Sequence, residues 1–471
     1  MNSLYLRRML VLTILAGALA LAVLIFPQAT PQAHAASVLI DTFADAQSVS
    51  QTGVGSLYGD GADAAIMGGH RNVTVTVLSG TTVGSFTSNS PAGKMSGSNG
   101  PDASSIVTLT YDADATAGLN KAGLGSRDLT DGSNNSAIVY REDVSDFTAN
   151  ITIMIWSDAG TKCSKLAKSS IGGVQALVPP TNSPPIALIF RFTDFAGWSV
   201  ATGGCGTAAG NKADFTKVSA VQVVISAPTA ATDYTYDELE ANGVDRGDLP
   251  DTSYRTTVLA SGPGHVITDF MLGTHIDNEN DGQPTANANG DDKNGTVAYP
   301  PGDEDGVKRV NLLPWPSGVG TGSLNVTVSG HSGCLMGWID WDNSATFDIP
   351  ADTIFDNVLV NTGTTLLTFD VPALPGGSTN GQSFYARFRL YPTDITSGSP
   401  DCHTDKTSGG GTSPEIFGGE VEDYVFGWMP TAVTLNSMTA TAETNSAFPF
   451  ALAGLAGLVV LGAVVLVRRR K

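Results

Sequence analysis

The sequence predicts an all-β chain of two β-sandwich, jelly-roll-like domains, with an N-terminal signal peptide and a C-terminal transmembrane helix. Three observations predict it. Short β-branched runs recur with period two, separated by Gly, Asn, Ser and Pro clusters. No long stretch between the two ends shows helical periodicity. Each end is apolar and flanked by basic residues, whereas the middle of the chain is strongly acidic.

The elements follow in order. Residues 1–35 read as a secretory signal: Arg7 and Arg8 form its basic region, residues 9–26 its apolar stretch, and Ala33-His34-Ala35 a small-x-small cleavage site. Residues 36–239 form the first sandwich, with strands expected at 73–78, 106–111, 151–156, 187–192 and 218–225. Residues 240–428 form the second, with strands expected at 324–328, 335–341, 366–371, 384–390 and 421–426. Residues 429–447 are rich in Thr, Ala and Ser with almost no charge, and read as a stalk. Residues 448–467 carry no charge and, at about 1.5 Å per residue, span about 30 Å, the thickness of a bilayer core. Arg468, Arg469, Arg470 and Lys471 follow, and the positive-inside rule places them in the cytoplasm. The expected location is therefore the cell surface, with the N-terminal region outside.

The two ends hold six of the 25 basic residues and none of the 45 acids, so residues 36–445 stand at 19 basic against 45 acidic, a net of −26 against −20 for the whole chain. That balance excludes nucleic acid as a partner, because phosphate binding needs a basic patch. It suits a chain that holds divalent cations or stays soluble outside the cell. Four cysteines, Cys163, Cys205, Cys334 and Cys402, fall in this exported part, and an even count there favours disulfides. Three pairings exist; Cys163–Cys205 with Cys334–Cys402 keeps each bridge within one domain.

Three motifs could carry chemistry. Asp277-Asn278-Glu279-Asn280-Asp281-Gly282 alternates acids before a glycine, the way a tight loop turns successive oxygens onto Ca²⁺. Asp291, Asp292, Asp303, Glu304 and Asp305 follow closely, and so many carboxylates repel one another without a cation or basic partners. A solvated acidic loop is the alternative. Ala288 stands at the twelfth position, where an EF-hand needs Glu. The second motif runs from Asp340 and Asp342 to Asp348, again with oxygen-bearing side chains at alternate positions. The third is a strand, Gly419-Glu420-Val421-Glu422-Asp423-Tyr424, which reads as structural: a cross-strand ion pair joins Glu420 and Glu422 to Arg387 and Arg389.

On these residues the second half resembles the GEVED domain of bacterial surface and secreted proteins, whose closing motif Gly419 to Tyr424 reproduces. The likeness extends upstream through Ala386-Arg387-Phe388-Arg389-Leu390, Trp338-Ile339-Asp340-Trp341, Gly302-Asp303-Glu304-Asp305-Gly306-Val307 and Asp281-Gly282-Gln283-Pro284 to the opening Asp245-Arg246-Gly247-Asp248-Leu249-Pro250-Asp251. It implies an extracellular β-sandwich of adhesins and other multidomain surface proteins, in a structural or adhesive role, with calcium as a ligand. The chain departs from the family pattern after Trp341, where Ser344-Ala345 replace an Asp-Gly pair. The first half is similar, more loosely, to β-sandwich domains of bacterial proteins with sorting tails, on Leu39-Ile40-Asp41-Thr42-Phe43 and Gly68-Gly69-His70-Arg71-Asn72. Residues 448–471 resemble such a tail without its Leu-Pro-x-Thr-Gly or Pro-Glu-Pro motif.

No H-E-x-x-H, G-x-S-x-G or phosphate-loop motif is present. The expectation is a non-catalytic, membrane-anchored surface protein with calcium-stabilised loops, whose partner is an extracellular glycan or envelope protein. The alternative is a carbohydrate-binding module. For that alternative Trp198 and Trp315, in Gly- and Pro-rich loops, are the side chains expected to be exposed; Trp156, Trp338 and Trp341 belong in the core. Arg246-Gly247-Asp248 spells an integrin-binding tripeptide inside the opening motif.

Overall fold

The computed structural model describes residues 37–89, 93–169, 186–205, 211–290, 302–310, 315, 320–372, 383–392 and 415–427. The signal, stalk and transmembrane segments expected at the ends lie outside them. Among the described residues no helix is long and apolar enough to cross a membrane.

The described chain is all-β, in four sheets. Most of the expected strands of the first half appear with small extensions: His70–Ser79, Ser104–Tyr111, Asn150–Ser157 and Val218–Ala227. The last of these is central in a seven-stranded antiparallel sheet that also holds the first three. A ten-stranded sheet packs against it, running from Gln47–Thr52 at one edge through Asp233–Asn242 and Ala137–Ser145 to Ile186–Arg191. One buried cluster draws Phe86, Tyr140, Phe190 and Tyr236 from the ten-stranded sheet and Val75, Leu109, Ile153 and Val223 from the seven-stranded one. Period-two alternation is what lets each strand give one face to that cluster.

The ten-stranded sheet continues into the second half of the sequence. Ile416–Phe417 pairs with Ile186–Arg191, His265–Val266 lies parallel to Ile416–Phe417, and Val244–Asp245 closes the edge. Two four-stranded sheets follow. One holds Met271–Leu272, Val307–Arg309, Gly320–Ser329 and Gly363–Val371; the other holds Thr353–Val360, Gly333–Ile339, Ser383–Pro392 and Glu420–Gly427. Leu324, Val326 and Phe369 meet Leu335, Phe388 and Phe426 between them. The other face of the second sheet is covered too: Trp338, Met336 and Tyr391 pack on Leu249 and Tyr254. A strand buried on both faces shows no alternation, and all seven residues of Gly333–Ile339 are buried. Trp156, Trp338 and Trp341 are core residues as expected. Trp315 is not exposed: it is 5% accessible and packs edge-on against Trp341, Phe369 and Phe426. Trp315 lies between strands, and the aromatic cluster is what draws a large apolar ring inward from there. Trp198 is half-buried against Trp156, with Lys165 over its ring.

Cys163 and Cys205 form a disulfide. Cys334 is disulfide-bonded as well, and Cys402 lies outside the described residues.

Candidate metal centre

Five carboxylates from four separated segments converge where the ten-stranded sheet meets the closing strand of the second half. Asp245 ends the edge strand Val244–Asp245, Asp277 and Glu279 come from the acidic loop, Asp303 precedes Val307–Arg309, and Glu420 opens Glu420–Gly427. They form two triads, Asp245/Asp303/Glu420 and Asp277/Glu279/Asp303, in each of which one carboxylate oxygen per residue lies within 4.8 Å of the others. All five are at most 3% accessible.

The backbone fixes these side chains. Asp245 Oδ2 accepts from the Val421 N–H at 2.7 Å. Glu420 Oε2 accepts from the Leu272 N–H at 2.6 Å, and Glu279 Oε2 from the Arg246 N–H at 2.7 Å. Glu420 Oε1 and Glu279 Oε1 are buried and accept nothing from the described residues. A buried carboxylate oxygen left without a donor is costly, more so among like charges. Burial, with the charges of Glu422, Asp245 and Asp303, pushes the Glu420 carboxyl well above its ordinary range. Burial likewise pushes Glu422 up to about 8, against hydrogen bonds from the Gly306 N–H and Tyr424 hydroxyl. A hard divalent cation with oxygen ligands at about 2.3–2.6 Å would satisfy such a set, and calcium fits the donor type.

The closing strand pairs antiparallel with Ser383–Pro392 in a register that sets Arg387 opposite Asp423 and Leu390 opposite Glu420. Arg387 makes a bidentate bond to Asp423, Nε to Oδ1 at 2.7 Å and Nη2 to Oδ2 at 2.8 Å, with neither side chain exposed. Asp423 Oδ2 also accepts from the Asp248 and Leu249 N–H groups, at 2.8 and 3.0 Å. The closing motif thereby clamps the opening one. Residues 335–427 match the GEVED domain.

The GEVED match begins downstream of Asp245, Asp277, Glu279 and Asp303, so Glu420 is the one member of the centre within it. The GEVED strand also corrects the expected ion pair. Glu420 and Glu422 do not pair with Arg387 and Arg389, because they point to the opposite face of the strand, where Phe388 and Leu390 are their neighbours. Asp423 takes the role instead. Arg389 Nε donates to His265 Nε2 at 3.0 Å, while His265 Nδ1 donates to the Gly418 carbonyl at 2.9 Å. This proton placement is that of a neutral imidazole, and burial beside Arg389 holds the ring well below its ordinary pKa.

Of the expected calcium ligands, Asp277, Glu279 and Asp303 come together. Asp281 does not join them: its side chain is 46% exposed, lies 3.4 Å from Arg191, and accepts from the Val258 and Gly282 N–H groups. Asp305 instead ties down the turn at Thr274 and His275, with its carboxylate 2.8 Å from His275 Nδ1. Asp291 and Asp292 lie outside the described residues. Asp340 and Asp342 meet Asp352 in a third group. There Asp340 accepts from the Ser344 and Ala345 N–H groups and the Tyr254 hydroxyl, and Asp352 from the Trp341 and Asp348 N–H groups. Burial pushes Asp352 up to about 6.

Asp245 and Asp352 escaped sequence reasoning, and Glu420 was given another role. The available signal was that Asp245 and Glu420 stand at the two ends of the stretch that resembles one family in sequence. The Arg246-Gly247-Asp248 tripeptide is no exposed ligand: Arg246 and Asp248 are buried, and a Cβ on Gly247 would collide with the Asp423 carboxylate.

No curated protein matches the chain in sequence. A family 11 carbohydrate-binding module from Clostridium thermocellum, solved with a β-1,3-1,4-mixed-linked tetrasaccharide, is similar at TM-score 0.24 and 14% identity over 44% of this chain and 94% of that one. The family 11 module of the cellulosomal cellulase Lic26A-Cel5E of Clostridium thermocellum gives 0.23 and 13%, over the same shares. Likeness at this level carries no argument about function.

Proposed function

We propose that the chain is a non-catalytic cell-surface protein with a structural or adhesive role, whose second half is a scaffold pinned by calcium. It comprises two sandwich modules, residues 36–239 and 240–428, carried on the stalk at 429–447 and anchored by residues 448–467. The observation that carries the calcium-scaffold reading is the buried carboxylate centre around Asp303. Its members come from four segments, so a cation there ties the opening edge strand, the acidic loop and the closing strand together. Their accessibility of at most 3% leaves a substrate no approach, which supports a structural ion over a catalytic one. The acid excess of the exported part supports the same reading.

Thermal unfolding of the full-length chain, in calcium and in EDTA, tests it. Calcium at about 100 times its dissociation constant stabilises by about 2.7 kcal/mol. Identical melting curves in the two buffers sink the reading.

A further inference from the structure

We infer that the centre holds two divalent cations bridged by the Asp303 carboxylate, one against Asp245 and Glu420, the other against Asp277 and Glu279. The inference rests on the calcium reading above and adds its stoichiometry. The two triads share Asp303 and nothing else. Each triad contains one glutamate that commits one oxygen to a backbone N–H and leaves the other, fully buried, with no donor: Glu420 Oε1 in the first, Glu279 Oε1 in the second. One ion in either triad leaves the glutamate of the other unsatisfied. Charge points the same way. Two divalent ions bring four positive charges to five carboxylates, and Arg389, whose guanidinium feels the Asp245 charge, supplies a fifth. The donors are all oxygen, the set that hard cations such as Ca²⁺ take in preference to zinc or copper.

Equilibrium dialysis of the full-length chain in detergent against radioactive Ca²⁺, at neutral pH, counts the ions directly. The expected result is two per chain. Glu279→Gln and Glu420→Gln each retain one, and Asp303→Asn retains none. One ion in the unaltered chain overturns the bridged pair while leaving the calcium reading standing. Two ions that survive in both Gln variants place the calcium elsewhere and also overturn it. No bound calcium in the unaltered chain overturns the reading itself. The count in the unaltered chain does not depend on any variant folding.

Discussion

The molecule buries acids in two different ways. In the first half Asp41 is fully buried, yet Arg71 meets it with two bonds, Nη1 to Oδ1 at 3.0 Å and to Oδ2 at 2.8 Å. Arg71 donates its remaining N–H groups to Asp45, Ser88 and Gln47, so the whole guanidinium fork is used. Tyr111 and the Phe43 N–H complete Asp41, and the rings of Phe43 and Phe86 flank the cation. In the second half five acids are equally buried around Asp303. Of the arginines nearby, Arg387 holds Asp423, Arg246 reaches Glu415 at 2.6 Å, and Arg389 feels the Asp245 charge. The first site is neutralised by the chain. The second gathers five carboxylates in one place, which is the setting for the cations proposed above.

That contrast can be broken or sharpened by measurement. The largest effect is expected from Arg71→Met, which strands Asp41 without its partner and costs about 3–5 kcal/mol. Chemical denaturation should give the same loss in calcium and in EDTA; a loss that calcium reverses would end the distinction between the two sites. Next comes a pH effect in the strand Asp233–Asn242 of the ten-stranded sheet. Burial lifts Glu240 to about 7, with the Glu238 charge adding and hydrogen bonds from Ser37 and Asn242 opposing. A carboxyl with a raised folded pKa holds its proton longer in the native state. Its contribution is therefore complete below about pH 4.5 and is lost as pH rises through about 7, on the order of 3 kcal/mol in all. Glu240→Gln should flatten that slope in urea titrations at successive pH values, and an unchanged slope refutes the assignment.

Asp303→Asn should remove the roughly 2.7 kcal/mol that saturating calcium confers. In EDTA the same variant should be at least as stable as the parent, because it takes one like charge out of a crowded site. Loss of stability in both buffers would make Asp303 an ordinary structural residue. The smallest effect belongs to Asp340→Asn, about 1 kcal/mol for weakened bonds to Tyr254 and Ala345. It should not depend on calcium, since the oxygens of Asp340 already have protein donors; a calcium-dependent loss would add the Asp340 group to the cation sites.

Much of the strand pattern was legible because alternation is a local property. The run at 151–156 shows its period whatever it packs against, and it lies inside Asn150–Ser157. Reading was harder at 333–339, where covering both faces erases the period. The expected strand at 335–341 is accordingly displaced from the one observed. The acidic loop was legible as a cluster of acids, yet the structure divides it: Asp277 and Glu279 turn inward while Asp281 turns to Arg191. No local rule distinguishes these three, because the choice depends on where Asp303 and the Arg191 side chain arrive.

The sequence by itself determined the β class, the acidic character of residues 36–445 and the identity of the closing motif, since each follows from residue type and near-neighbour spacing. Only the tertiary structure decided what that motif does. Strand pairing sets Arg387 opposite Asp423, and pleating then sends Glu420 and Glu422 to the other face. A shift of one residue in that register would exchange the two faces, giving the arginines the glutamates and the centre an aspartate. Register is fixed by packing across the sheet, with Phe384, Phe388 and Phe426 seated in one core, and that information lies in no single segment of the chain.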